Sequence, residues 1–274
     1  MKILVTGHKG YIGSHLYSNL RRLGHDVHGI DLKGGHDILY CLPDEKFDYV
    51  FHLAAIPKVS FCVSNPSYTM RQNVLATSTL LEWSKSHAVK RVVFSSSAAV
   101  YGNGDGVPRS PYGLHKLISE MECRLFSELY GLDTVCLRYF NVYSEDQPFG
   151  GSYSTAISAW MQMIREGKPL RIDGDGEQTR DFIHVDDVVL ANIYAMQSTT
   201  QFGGKSYDVG TGKSVSLNYI KNFINSKQNV EWIYSSERKG DIRHSVSDVS
   251  NFKDLGFEAL VSIQKGLERC FKGD

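Results

Sequence analysis

Val5-Thr6-Gly7-His8-Lys9-Gly10-Tyr11-Ile12-Gly13 closes a short apolar run that begins at Lys2. Three glycines at spacing three then give way to Ile12, Leu16, Leu20 and Leu23 at helical spacing, and Gly24 ends the helix. The order is strand, glycine turn, helix. Glycine suits that turn because a side chain would hold a pyrophosphate away from the backbone N–H groups and the helix N-terminus. The next strand, Val27 to Ile30, ends at Asp31, about 20 residues on. A carboxylate there can accept hydrogen bonds from both ribose hydroxyls and repels a 2′-phosphate. The stretch therefore predicts a dinucleotide site that favours NAD over NADP.

The pattern continues outward. Tyr49–Ala54 reads as a third strand, and Asn65-Pro66 opens a long helix through about Lys85. Arg91–Phe94 is a strand that ends in Ser95-Ser96-Ser97, and Thr134–Arg138 is the next. Between them Pro111 starts a helix whose apolar stripe is Leu117, Met121, Leu125 and Leu129. Strands alternating with helices predict a parallel sheet covered on both faces: an α/β, Rossmann-type doubly wound fold. After Asn141 the pattern loosens. A turn cluster at Asp173-Gly174-Asp175-Gly176, a helix from Asp186 to Met196 and short elements near Val209 and Leu217–Ile224 predict a smaller α+β lobe. The expected division is 1–144, with 181–206 returning to it, against 145–180 and 207–274.

Chemistry enters at Tyr112 and Lys116, fifteen residues after Ser97. Four residues is about one helical turn, so phenol and ammonium share a helix face. A cation beside a phenol stabilises the phenolate and makes Tyr112 a candidate general base or acid. Composition narrows the setting. Thirty basic and thirty acidic residues give net charge zero, which offers no field for nucleic acid or an anionic membrane. No apolar run approaches the roughly 20 residues that span a bilayer, and the first residues are broken too soon for a signal peptide. Five cysteines without a C-x-x-C spacing suit reduced thiols in the cytoplasm.

Taken together, these segments resemble the extended short-chain dehydrogenase/reductase family, in particular its NAD-dependent nucleotide-sugar epimerases and dehydratases of the UDP-galactose 4-epimerase type. The matching stretches are the glycine turn, Val50-Phe51-His52-Leu53-Ala54-Ala55, Ser95-Ser96-Ser97-Ala98-Ala99-Val100-Tyr101-Gly102 and Pro111-Tyr112-Gly113-x-x-Lys116. Leu137-Arg138-Tyr139-Phe140-Asn141-Val142-Tyr143 and Gln178-Thr179-Arg180-Asp181-Phe182-Ile183-His184-Val185-Asp186-Asp187 continue them. The resemblance implies that Tyr112 takes the proton of a sugar 4-hydroxyl, that Ser97 bonds the same oxygen, and that Lys116 holds the nicotinamide ribose. It implies NAD contacts at Gly7, Gly10, Tyr11, Ile12, Gly13, Asp31, Asp37, Ile38, Leu53, Ala54, Ala55, Lys58, Asn73, Ser95, Tyr112, Lys116 and Tyr139. It makes the smaller lobe the binder of a UDP-sugar or other nucleoside diphosphate sugar, through Ser97, Asn141, Arg180, Arg238, Asp241 and Ser245. Arginine suits a diphosphate because its planar fork meets the oxygens in pairs.

Two positions bear on the reaction. Dehydratases and decarboxylases of the family resemble one another in carrying Thr-Asp-Glu or Thr-Ser-Glu where this chain has Ser97-Ala98-Ala99. Alanine transfers no proton, so the resemblance implies a 4-epimerase working through a transient 4-keto sugar. A keto-sugar reductase and a non-catalytic NAD-binding sensor stand as alternatives. Seven residues after Arg238, epimerases restricted to glucose and galactose carry a bulky Tyr; here Ser245 leaves room for a 2-acetamido group.

The chain is short in two places. Between Asp31 and Phe51, where relatives fit a further strand before an Asp-Ile pair at the adenine, Asp37-Ile38 follows almost at once. Ten residues separate Tyr101 from Tyr112, which trims a loop beside the active site. Relatives pair through the helices near Ser67–Lys85 and Leu117–Leu129, which implies a homodimer. Asp173, Asp175 and Glu177 alternate like calcium ligands, but Gln178 and His184 stand where a calcium loop needs glycine and a carboxylate, so a turn is expected. Asp186-Asp187 reads as a helix cap with favourable dipole charge. The ten histidines show no ligand spacing, no metal site is expected, and no Gly-x-Ser-x-Gly elbow occurs.

Overall fold

The computed structural model describes residues 1–148, 155–237 and 242–272. In chain order the strands are β1 (Lys2–Thr6), β2 (Asp26–Ile30), β3 (Tyr49–His52), β4 (Arg91–Ser97), β5 (Thr134–Tyr139), β6 (Asn141–Tyr143), β7 (Leu170–Asp173), β8 (Thr179–Arg180), β9 (Phe182–His184), β10 (Ser206–Val209), β11 (Val215–Ser216) and β12 (Trp232–Ser235). The helices are α1 (Tyr11–Arg22), α2 (Val59–Ser64), α3 (Pro66–Met70), α4 (Ala76–Ser86), α5 (Pro111–Tyr130), α6 (Ala156–Arg165), α7 (Val185–Gln197), α8 (Leu217–Asn225), α9 (Ser250–Lys253) and α10 (Ile263–Cys270). They form two compact units: Met1–Tyr139 with Val188–Asp208, and Phe140–Asp187 with Val209–Asp274. The chain crosses after Tyr139, Asp187 and Asp208, near the expected 144, 181 and 206; β6 pairs in parallel with β9, Asn141 opposite Phe182, and both belong to the second unit.

The first unit is built on a six-stranded sheet of order β10-β5-β4-β3-β1-β2. The pairings of β1 with β2 and β3, of β3 with β4 and of β4 with β5 are parallel. Chain order reverses at β1, which puts the topological switch point at the carboxyl ends of β1 and β3, where α/β sheets bind ligands. Ile3, Leu4 and Val5 of β1, Val50 and Phe51 of β3, and Val92, Val93 and Phe94 of β4 are buried, as central parallel strands require. No strand forms between Ile30 and Tyr49, so β2 is the sheet edge. The short connection instead drops Ile38 and Phe47 into the core beside Leu4, Ile30 and Val50. On the edge, His28 lies against Asp26 and Glu45, polar groups that discourage pairing with another strand.

At three elements the structure adds to the sequence expectations. The helix after Asn65 is not continuous: α3 passes into α4 through a π turn, Arg71–Leu75, and the short α2 precedes it. The stripe on α5 does not face the sheet, since Met121, Leu125 and Leu129 are exposed. The buried face carries Gly113, His115, Lys116, Ser119, Glu120 and Cys123. Asp186 and Asp187 stand in the first turn of α7, but they do more than complement its dipole. Asp187 accepts the N–H groups of Leu260 and Val261, both at 2.9 Å, and Asp186 pairs with Arg269. They tie down the end of the chain.

The second unit surrounds its own core, in which Tyr143, Ile157, Trp160, Leu170, Ile220 and Leu267 are buried. Its strands pair as β6–β9, β8–β11 and β7–β12. Of the carboxylates spaced like calcium ligands, Asp173 pairs with Arg171, and Asp175 takes both arms of Arg243 at 2.7 and 2.8 Å. Among the described residues no helix is long and apolar enough to cross a membrane.

Candidate active site

α1 starts directly after the glycine turn, and its N-cap residue Gly10 brings no side chain to the first N–H groups. A Cβ on Gly13 would lie 2.1 Å from the Gly7 carbonyl oxygen, so α1 could not begin this close to β1 with any larger residue. Gly7 has φ +74°, and its missing side chain leaves room for the Ala54 backbone at the end of β3. The result is an open helix N-terminus at the switch point, a cradle for a pyrophosphate. Beside it Asp31 is buried. Its Oδ2 accepts Lys9 N–H at 2.9 Å and its Oδ1 accepts Lys33 N–H at 2.8 Å. An ionised carboxylate has about four acceptor sites, so two remain for ribose hydroxyls. The residues present fit a dinucleotide.

The loop after β3 is held from below. His52 is 1% exposed, and burial drives its pKa down to about 3, so the ring is neutral. Thr77 spends its hydroxyl hydrogen on the Asn73 carbonyl, which makes His52 Nε2 the donor to Thr77 and Nδ1 the acceptor from Thr6 at 2.7 Å. Thr6 Oγ1 in turn accepts Ala54 N–H at 3.3 Å. The buried Asn73 sits in the π turn and holds Ile56 from both sides: its Oδ1 accepts Ile56 N–H at 2.7 Å and its Nδ2 donates to Ile56 O at 3.1 Å. Its amide shapes the Leu53–Ile56 loop. π turns often mark such sites.

Ile38 lies in the core, and Asp37 accepts Leu39 N–H at 3.0 Å and Gln72 Nε2 at 3.1 Å. Lys58 is exposed at the N-terminus of α2. The Tyr139 phenol turns inward to Asn192 at 3.0 Å, and burial pushes its pKa up.

Ser97, Tyr112 and Lys116 all lie in the first unit. Ser97 ends β4 and caps a short turn, its hydroxyl accepting Ala99 N–H at 3.2 Å. Ser110 caps α5 through Gly113 N–H at 3.1 Å, and Pro111 stands in its first turn, which sets where Tyr112 begins. Gly113 lets this turn press on the strand end: a Cβ there would lie 2.4 Å from Ala99 O. The short Tyr101–Tyr112 connection curls around the Tyr101 carbonyl, which accepts Gly104 and Gly106 N–H at 2.9 and 3.1 Å. Lys116 is 4% exposed; its Nζ donates to Ser95 O at 2.6 Å and lies 5.8 Å from the Tyr112 ring centroid. Burial, above all, lowers its ammonium pKa to about 8. A buried cation on the face of a phenol is the arrangement that favours phenolate.

In the second unit Asn141 Nδ2 donates to Asp181 O at 2.8 Å, and Asp181 N donates to Ser245 O at 3.0 Å. Asn141 and Ser245 thus flank the residue after Arg180. Arg238 and Asp241 lie outside the described residues. Sequence reasoning missed how Asp181 organises this region. Fully buried, it accepts Thr211 N–H, Thr211 Oγ1 at 2.7 Å, Gly212 N–H at 3.0 Å and the Ser247 hydroxyl. An acid followed by two aromatic or apolar residues carries no such signal in one sequence.

Residues 3–210 match the model of the NAD dependent epimerase/dehydratase family. The chain belongs to that family. A member from Mycolicibacterium smegmatis, a UDP-glucose 4-epimerase, is 31% identical over 98% of this chain and 97% of its own. The UDP-N-acetylglucosamine 4-epimerase from Methanobrevibacter ruminantium, solved in complex with UDP-N-acetylmuramic acid, superposes with TM-score 0.91 at 32% identity, covering 99% of this chain and 97% of that one. The UDP-glucuronic acid 4-epimerase from Bacillus cereus, solved with UDP-glucuronic acid and NAD, gives 0.86 at 29%, covering 99% and 98%. The two solved structures cover the second unit as well as the sheet, and this chain is an NAD-dependent member.

Proposed function

We propose that this chain is a UDP-sugar 4-epimerase that keeps NAD bound and returns the hydride it removes. The observation that carries the reading is Lys116, buried against Tyr112 beside a strand end that offers Ser97 and then two alanines. When bound, NAD accepts a hydride from the sugar carbon and gives it back. The chain's own residues hold and move the proton. The Tyr112 phenolate takes the hydrogen of the 4-hydroxyl, and Ser97 bonds the same oxygen while it becomes a carbonyl. Lys116 keeps the phenol acidic, and its remaining N–H groups would hold the ribose of a bound NAD. Gly7, Gly10 and Gly13 with the first turn of α1 hold the pyrophosphate, and Asp31 holds the adenosine ribose. With Ala98 and Ala99 no carboxylate follows Ser97 to expel a hydroxyl, which favours epimerisation over dehydration. Arg180, Asn141, Arg238 and Asp241 serve as the handle for the nucleoside diphosphate.

The test is conversion of UDP-glucose to UDP-galactose without added cofactor, read by proton NMR of the anomeric signals. A keto-sugar reductase would consume reduced cofactor mole for mole, and a sensor would convert nothing. Ser245 extends the proposal to 2-acetamido sugars. Wild type is expected to turn over UDP-N-acetylglucosamine as well as UDP-glucose, and Ser245→Tyr to lose the first by about tenfold or more while keeping the second. Equal acetamido turnover in that variant would remove the idea.

We also propose a homodimer through α4 and α5. Leu114, Met121, Leu125 and Leu129 are exposed along α5, and Met70 and Leu75 are exposed on the preceding helical segment. Sedimentation should give twice the chain mass, and Leu125→Glu should shift it toward one. A monomeric wild type at micromolar concentration excludes this assembly.

A further inference from the structure

We propose that Glu120 and Arg138 are positioning residues for the reaction: they lock the end of β4 to the helix that carries Tyr112 and Lys116, and Glu120 supplies the anion that keeps Lys116 charged. The proposal rests on the reading of Ser97, Tyr112 and Lys116 as the reacting set. Glu120 follows Lys116 by one turn on the buried face of α5 and is 5% exposed. Its carboxylate accepts Arg138 Nε at 2.8 Å and Nη2 at 2.6 Å, Ser206 Oγ at 3.0 Å and the Ser96 hydroxyl. The third arm of Arg138 donates to the Tyr101 phenol at 2.7 Å, which donates to Asp208 at 2.6 Å. The network joins β4, β5, β10, α5 and the turn after β4.

Its geometry bears on the site through two successive turns of one helix. Lys116 bonds the Ser95 carbonyl, and Glu120 bonds the Ser96 side chain. The next residue of that strand is Ser97. Two attachments a turn apart fix the rotation of α5 against the strand end, and so the separation of Ser97 from Tyr112. Misplacing reacting groups by about 1 Å can cost on the order of a hundredfold in rate. A buried ion pair is, by contrast, weak evidence of added stability, because an apolar pair of like volume often serves as well.

Around the Lys116 ammonium stand Phe94, 4.7 Å to its ring centroid, and Tyr112. His52 and His115 are both held below the usual imidazole range, first by burial. The thiols of Cys123 and Cys136 and the carboxylate of Glu120 are the groups that oppose the cost of burying this cation. A hydrogen bond with the Cys123 thiol, and then burial, hold Cys136 well above the usual thiol range, so it stays neutral. Glu120 is the carboxylate in that set, one turn from Lys116 on the same buried face of α5 and paired with Arg138.

The experiment titrates Lys116 directly and follows turnover in the protein with its cofactor. Lysine labelled at Cε reports the ammonium by NMR, with the signal assigned by its loss in Lys116→Met. Glu120→Gln is expected to lower the Lys116 midpoint by roughly one pH unit, and the alkaline limb of kcat with it. It should also reduce kcat about tenfold to a hundredfold at nearly unchanged KM. Glu120→Asp keeps the charge and should restore the midpoint while kcat recovers only in part. Ser96→Ala should lower kcat without moving the midpoint. Unshifted midpoint and alkaline limb in Glu120→Gln, with only the unfolding temperature reduced, would overturn the proposal. Should that variant not fold, Arg138→Lys and Ser96→Ala decide: reduced kcat at unchanged KM supports the lock, and wild-type kcat in both overturns it. A wild type inactive on every UDP-sugar defeats the proposed function instead, and leaves the Lys116 titration to test the charge term by itself.

Discussion

Tyr112→Phe is expected to lower turnover by about 10²–10⁴-fold with little change in KM. Phenylalanine keeps the ring, so Lys116 keeps the aromatic face 5.8 Å from its Nζ and its bond to Ser95 O. Nothing in the glycine turn or at Asp31 changes, so NAD should stay with the protein. What disappears is one hydroxyl, the group able to accept the proton of the sugar 4-hydroxyl. The loss should therefore appear in kcat, with the released cofactor measured by mass spectrometry after denaturation equal to wild type. Turnover within tenfold of wild type would show that another group takes the proton, and loss of the cofactor would show that the phenol holds NAD instead. A sensor built on this fold would be unaffected in NAD content and would have no turnover to lose.

Arg91→Ala is expected to destabilise the first unit by about 3–5 kcal/mol, because it breaks a buried pair on one side. Arg91 is 8% exposed at the start of β4. Its Nε donates to Asp133 at 2.6 Å; Nη1 donates to the carbonyls of Ala195 at 2.5 Å and Ser198 at 2.9 Å, and Nη2 to that of Thr200 at 2.6 Å. The Ala195 carbonyl lies in the last turn of α7, where the helix dipole also favours a cation. The guanidinium stacks 4.7 Å from the Phe202 ring centroid. Truncation would leave several buried carbonyls and the Asp133 carboxylate without this partner, although Asp133 keeps the N–H groups of Phe202 and Gly203. Urea unfolding reads the effect. Arg91→Lys should recover only part, since an ammonium cannot reproduce the fork. A midpoint within experimental error of wild type in Arg91→Ala would sink this account.

Much of the site was legible from residue order because its parts are local. A strand, a tight turn and a helix follow each other within Lys2–Arg22, so the glycine cradle is written in one short stretch. The same holds for Ser110-Pro111 as the start of α5 and for Tyr112 and Lys116 one turn apart. Other features were out of reach. The spacing of Leu117, Met121, Leu125 and Leu129 identifies a helix face, but periodicity does not say what the face meets. Here that stripe is largely exposed, and the buried face carries His115, Lys116, Ser119 and Glu120. Glu120, four residues past Lys116, drew no attention in the sequence. Its partner Arg138 is eighteen residues away on another element, and Ser206 is eighty-six. The π turn at Arg71–Leu75 and the inward Tyr139 depend equally on remote neighbours.

Backbone chemistry close in sequence was thus enough to settle the dinucleotide cradle, the alternation of strand and helix, and the pairing of a phenol with an amine. Which face of α5 turns inward, how Asp31 and Asn73 spend their hydrogen bonds, and which buried charges meet Arg91 and Arg138 were decided by packing between distant segments. The reason is one of range: turn geometry and helical spacing act over a few residues, whereas burial exists only once remote parts of the chain have closed over a group and removed its water.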